Sequence, residues 1–147
     1  MATLLTLTYS QPTLTLAAGD VLIKEGDPGG DLYVLESGKL TVERDGVKLA
    51  TVGASGALIG EMSVLLGTEN TATVRAEKAT TVRVVKDALA YLERQPLVAL
   101  RVAMLLSQRL DATSALLVAL SKEQGVRAPE QGLFNRLMTS LVTPGKD

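Results

Sequence analysis

Residues 39–52, KLTVERDGVKLATV, alternate apolar and polar side chains on either side of Asp45-Gly46. A period of two sends successive side chains to opposite faces of a strand, and Asp-Gly suits the positive φ of a tight primed turn. The stretch therefore predicts a β-hairpin. The same pattern repeats outward on both sides: AAGD before VLIKEG, GDPGGD before LYVLESG, and later TATVRA and TTVRVV. Turn signals at roughly eight- to twelve-residue spacing point to an antiparallel sandwich or barrel. Residues 14–86 are expected to be all-β.

After Lys86 the pattern changes. Asp87 is the expected N-cap of a short helix that ends before Pro96. Pro96 suits the first turn of a second helix, which then runs without glycine or proline to Gln124, with Gly125 as its stop. Nearly thirty residues of helix would span about 40 Å. Ala99, Ala103, Leu106, Leu110, Thr113, Leu117 and Leu120 recur at spacings of four and three, a seam for a second helix, so a homodimer through residues 97–120 is expected. Leu100, Met104, Leu105, Leu116 and Val118 form a second apolar face, assigned here to the β domain. Residues 125–147 predict a short amphipathic helix carrying Leu133, Phe134, Leu137, Met138 and Leu141, then a loose tail.

Composition narrows the chemistry. The 147 residues suit one domain with a core, and 46% hydrophobic residues against 21% charged predict a folded chain. Only 3% are aromatic and none is tryptophan, so the core should be built from Leu, Val, Ile, Ala and Met. Fifteen basic and 16 acidic residues leave a net charge of −1, which disfavours direct nucleic-acid binding. Cysteine and histidine are absent, removing disulfides, thiolate and imidazole catalysis and the usual zinc and copper sites. No serine or threonine has a visible base partner and no carboxylates pair at helical spacing, so neither an enzyme nor a bound cofactor is expected. The first basic residue is Lys24, unlike a secretory signal, and Arg101, Gln108, Arg109 and Asp111 interrupt the apolar run 97–120. Both features point to a cytoplasmic protein off the membrane.

Between the strands lies IGEMSVLLGTENTATV, residues 59–74. Its glycine, acid, apolar turn and polar loop suit an anion on free helix-start amides, while the Glu61 carboxylate, an acceptor, suits a sugar hydroxyl. The segment fits a ligand with both a phosphate and a ribose edge; a capped helix linking two strands would read much the same.

This segment resembles the phosphate-binding cassette of the cyclic-nucleotide-binding domains found in catabolite-activator-type regulators and in regulatory subunits of cyclic-nucleotide-dependent kinases. The resemblance covers residues 14–124 and is reinforced by GDVLIKEGDPGGDLYVLESGKLTV, residues 19–42, with Gly26, Asp27 and Gly38 at the family's turn positions. It implies a jelly roll, the β-roll, of eight strands with helices at its ends, and so a domain over residues 1–124. It implies that Glu61 grips the ribose 2′-hydroxyl and that Gly60, Met62 and Ser63 supply main chain around the cyclic phosphate. Ile59 stands where phenylalanine is common, and Asn70, Thr71 and Ala72 complete the ligand-binding set. Thr71 occupies a position where threonine favours guanine in some relatives.

Asn70 replaces the family's phosphate-binding arginine, and Glu69 a frequent proline. A charge-assisted hydrogen bond contributes roughly 1.5–3 kcal/mol, so its loss should weaken phosphate binding about ten- to a hundredfold. Arg75, five positions on, belongs to the opposite strand face, so a basic residue from elsewhere, such as Lys24 or Arg83, would have to reach in. The implied function is a cyclic nucleotide sensor, for cAMP or cGMP, that acts through a dimer or partner. The 22 residues after Gly125 are too few for a winged helix. Asn70 also fits two alternatives: a β-roll scaffold that no longer binds cyclic nucleotide, and a pocket for an uncharged or differently charged ligand with Asn70 as an amide donor.

Overall fold

The computed structural model describes residues 2–124 and, beyond them, residues 132, 135–137 and 139–140. In chain order these residues form α1 (Leu4–Leu7), β1 (Thr13–Leu16), β2 (Val21–Ile23), β3 (Leu32–Ser37), β4 (Leu40–Arg44), β5 (Val47–Val52) and β6 (Leu58–Ile59). Then follow α2 (Glu61–Leu66), β7 (Thr73–Ala76), β8 (Thr80–Val85), α3 (Ala88–Arg94) and α4 (Pro96–Gln124). The chain divides into two compact units, Met1–Val102 and Ala103–Asp147.

The first unit holds two four-stranded sheets, ordered β1-β8-β3-β6 and β2-β7-β4-β5, with every pairing antiparallel. This is the expected β-roll, an antiparallel jelly roll followed by a short and a long helix. Leu16, Leu35, Ile59, Val82 and Val84 from one sheet meet Ile23, Leu40, Val74 and Ala76 from the other in one buried cluster. The core is aliphatic, as the composition predicts. Methionine takes no part in it among the described residues: Met62 is exposed and Met104 half-buried.

The hairpin closes at Asp45-Gly46, where Arg44 pairs with Val47 and both turn residues have positive φ, 50° and 75°. That geometry matches the right-handed twist of the flanking strands. A register shift between Val42 and Glu43 was not foreseen. Nor was α1, whose Thr3 side chain accepts a hydrogen bond from the Thr6 amide and which buries Leu4.

Asp87 does precede α3, but not as a side-chain cap. It sits in the left-handed region at φ 46° and its carboxylate makes no capping bond. Instead its own amide donates to Asp31 Oδ1 (3.1 Å), so the helix start is held by a residue 56 positions earlier.

Helix α4 has the predicted ends, Pro96 and Gln124, but a different buried face. Val98 and Val102 are buried in the first unit, whereas Leu100, Leu116 and Val118 are exposed. One turn of 3.6 residues aligns position 98 with 102, so Leu100 points away from that face. Arg101, expected on an exposed face, is half-buried, while Glu93, Arg94 and Arg109 are exposed. Of the amphipathic segment predicted near the C-terminus, Leu133, Phe134, Met138 and Leu141 lie outside the described residues; Leu137 is helical and exposed.

Candidate functional site

Two crossovers between the sheets lie side by side. Residues 24–31 carry the chain from β2 to β3, and residues 60–72, with α2, carry it from β6 to β7. The Gly26 amide donates to Asn70 O and the Asn70 amide to Asp27 O, both at 2.9 Å. The Glu25 amide adds a bond to Thr73 Oγ1 at 3.1 Å. Gly29 packs between the two: a Cβ there would collide with the Ser63 side chain and lie 3.2 Å from Asn70 Oδ1. The glycine pair of GDPGGD, read as a turn, is thus also the place where one crossover comes close to the other.

At the start of α2, Gly60 is left-handed (φ 88°, ψ 3°), and a Cβ on it would stand 2.8 Å from Asp31 O. Glycine is required there for both conformation and space. Glu61 follows as the first helical residue and is only 8% exposed. Ser63, also buried, donates from Oγ to Gly60 O at 3.1 Å. Its carbonyl accepts the amides of Gly67 and Thr68 where the helix ends. Met62, Leu65 and Leu66 point to solvent.

Gly60, Glu61, Met62 and Ser63 are therefore consecutive around one turn, with Asn70 held close to Ser63 across Gly29. Thr71 and Ala72, half-buried, lead into β7. Ile59 ends β6 opposite Tyr33, and its side chain belongs to the core.

Arg75 and Arg83 are engaged elsewhere. Within residues 59–76 the one basic residue is Arg75, against Glu61 and Glu69. Arg75 lies between buried Val74 and Ala76, faces outward and donates to Gly19 O at 2.9 Å. Arg83 bonds Tyr9 O at 2.6 Å and Glu36 Oε1 at 3.3 Å. Lys24 is exposed, and its carbonyl accepts the Asn70 side-chain amide at 3.4 Å. The Asn70 amide thus braces the neighbouring crossover, a role that sequence spacing alone could not assign. Among the described residues no group of three or more acidic side chains is placed to hold a metal ion.

Asp31 links this region to α3. Its carbonyl abuts Gly60, its carboxylate holds Lys86 Nζ at 3.0 Å, and the adjacent Gly30 O accepts the Ala88 amide at 2.8 Å. The hydrogen bond to Asp31, then its charge, raises the Lys86 pKa. Burial, with help from Asp31, raises that of Tyr33.

Residues 13–92, more than half of the chain, match the family model of the cyclic nucleotide-binding domain. The chain is 35% identical to the crystallised catabolite activator protein of Thermus thermophilus, with a TM-score of 0.66 over 78% of this chain and 57% of that one. It is 36% identical to the N-terminal domain of a transcriptional regulator from Streptomyces coelicolor A3(2), with a TM-score of 0.55 over 73% of this chain and 81% of that domain. Over 60 residues it is 43% identical to a cGMP-dependent protein kinase, isozyme 2, of Drosophila melanogaster, a match covering 40% of this chain and 5% of the kinase. With two antiparallel sheets, a glycine-acid turn between them and these matches, the chain belongs to the cyclic nucleotide-binding domain family.

Proposed function

We propose that this chain is a ligand-sensing regulatory domain of the cytoplasm, not an enzyme, whose pocket takes cAMP or cGMP through the ribose more than through the phosphate. The observation that carries the reading is the buried Glu61 carboxylate directly after a glycine that tolerates no side chain. Glu61 accepts the ribose 2′-hydroxyl, the main chain of Gly60, Met62 and Ser63 lines the phosphate, and Thr71 and Ala72 face the base side. Without the arginine, phosphate binding is weakened about ten- to a hundredfold.

Output runs through Asp31. Its contact with Gly60 and its grip on Lys86 and the Asp87 amide join the pocket to the start of α3, and α3 leads after one residue into α4. We assign function to residues 1–124 as one domain and signalling to a homodimer through residues 97–120, with no direct contact to nucleic acid. Exposed Leu97, Leu110 and Leu120 support that interface. Pro96–Glu123 is long and apolar enough to cross a membrane; Arg101, Gln108, Arg109 and Asp111 along it favour a protein partner.

One observation favours a scaffold instead: the Asn70 side-chain amide donates to Lys24 O. Isothermal titration of the whole chain with cAMP and cGMP separates the two readings. The sensor predicts micromolar to sub-millimolar binding that Glu61→Gln weakens by roughly tenfold or more. Absence of heat at millimolar ligand would leave the scaffold.

A further inference from the structure

We infer that this pocket has ceased to discriminate by charge, so that uncharged ribonucleosides compete with cyclic nucleotides on near-equal terms. The inference rests on the Glu61 reading above and extends it to the class of ligand. Of the side-chain donors in the cassette, Ser63, Asn70 and Arg75 each donate to a main-chain carbonyl of the protein. Asn70 Nδ2 donates to Lys24 O (3.4 Å), Ser63 Oγ to Gly60 O (3.1 Å) and Arg75 Nη1 to Gly19 O (2.9 Å). Gly29 packs against both Ser63 and Asn70 and so holds the first two where they are. Of the more distant basic groups, Arg83 is committed to Glu36 and the Tyr9 and Gln11 carbonyls and Lys86 to Asp31, while Lys24 is exposed to solvent.

A phosphodiester entering this turn gives up water around a full negative charge and meets no lysine or arginine within residues 59–74. Burial of an unpaired charge is costly. A nucleoside offers Glu61 the same 2′-hydroxyl and escapes that cost. In a pocket with an arginine the cyclic phosphate would be worth roughly ten- to a hundredfold in affinity; here the two ligand classes should fall within about tenfold of each other on the same scale.

The test is titration calorimetry of the whole chain with adenosine, guanosine, their 2′-deoxy counterparts, cAMP and cGMP. The expected result is a ribonucleoside bound within about tenfold of its cyclic nucleotide, with the 2′-deoxy compound weaker by roughly tenfold. A cyclic nucleotide held far more tightly than its nucleoside would overturn the inference and leave the Glu61 reading intact. Equal binding of ribo and deoxy compounds, or no binding by any of the six at millimolar concentration, would overturn the Glu61 reading as well. Asn70→Arg provides the second arm: it should tighten cyclic nucleotide by roughly tenfold or more and leave nucleoside affinity unchanged. A parallel gain for both classes would count against the inference. The panel on the unmodified chain stands even if that variant does not fold.

Discussion

At the scale of single residues, the glycine before Glu61 sets the geometry of the cassette. Ala at this position must adopt φ 88° and push against Asp31 O at 2.8 Å. We expect Gly60→Ala to cost about 1–3 kcal/mol in chemical denaturation and to weaken any ligand held by Glu61. Asp31 yields a pH prediction. Lys86 and Tyr33 both titrate above their ordinary values of 10.5 and 10.0. A raised folded-state value means that the folded form holds its proton longer, so both contributions are whole below about pH 10 and fade as pH rises beyond it. Melting temperature should therefore fall above pH 10, and Asp31→Asn should flatten the part due to Lys86. Much at this scale was legible in the sequence, because Asp45-Gly46 announces its own backbone and Gly60-Glu61 sits in a spaced pattern. The partner of Asn70 was not legible: Lys24 lies 46 positions away, and no local pattern encodes a side chain that reaches across a loop. Asp87 does occupy the N-cap position, but its left-handed backbone and the bond from its own amide to Asp31, 56 positions earlier, were equally hidden.

At the scale of elements, the two crossovers behave as one strip of backbone. The reciprocal bonds between Gly26, Asp27 and Asn70, with Thr73 on Glu25, stitch the β2–β3 connection to the cassette. Asn70→Ala removes one side-chain bond of this strip and should cost about 0.5–1.5 kcal/mol. Hydrogen exchange should show faster opening at the amides of Gly26 and Asn70 together, with the β4–β5 hairpin unaffected. Strands with strict alternation were visible in the sequence because one face is buried. Helix α1 was not: residues 5–9, LTLTY, alternate with the period of a strand, and the start of the helix depends on one threonine side chain. The shift in register between Val42 and Glu43 was hidden too, since a bulge arises from pairing between strands and not from either strand alone.

At the scale of the whole molecule, α4 carries the question of assembly. Its ends were legible because Pro96 starts it and no breaker follows before Gly125. Its buried face was not, because Val98 and Val102 differ from Leu100 only in what packs against them. Leu110, in the predicted seam, is exposed. We expect Leu110→Glu to convert a dimer to a monomer in sedimentation velocity, and an unchanged mass would remove the interface proposed through residues 97–120. Strand β5 has a different consequence. It ends the second sheet, with no strand beyond it among the described residues, and shows Val47 and Leu49 to solvent, each 59% exposed. Lys48 between them is the one charge along this open rim. Replacing it, as in Lys48→Val, should turn the rim into a template for intermolecular stacking, visible as turbidity at protein concentrations the parent tolerates. On this expectation a single ammonium group, remote from the glycine-acid turn, keeps the rim from recruiting further chains.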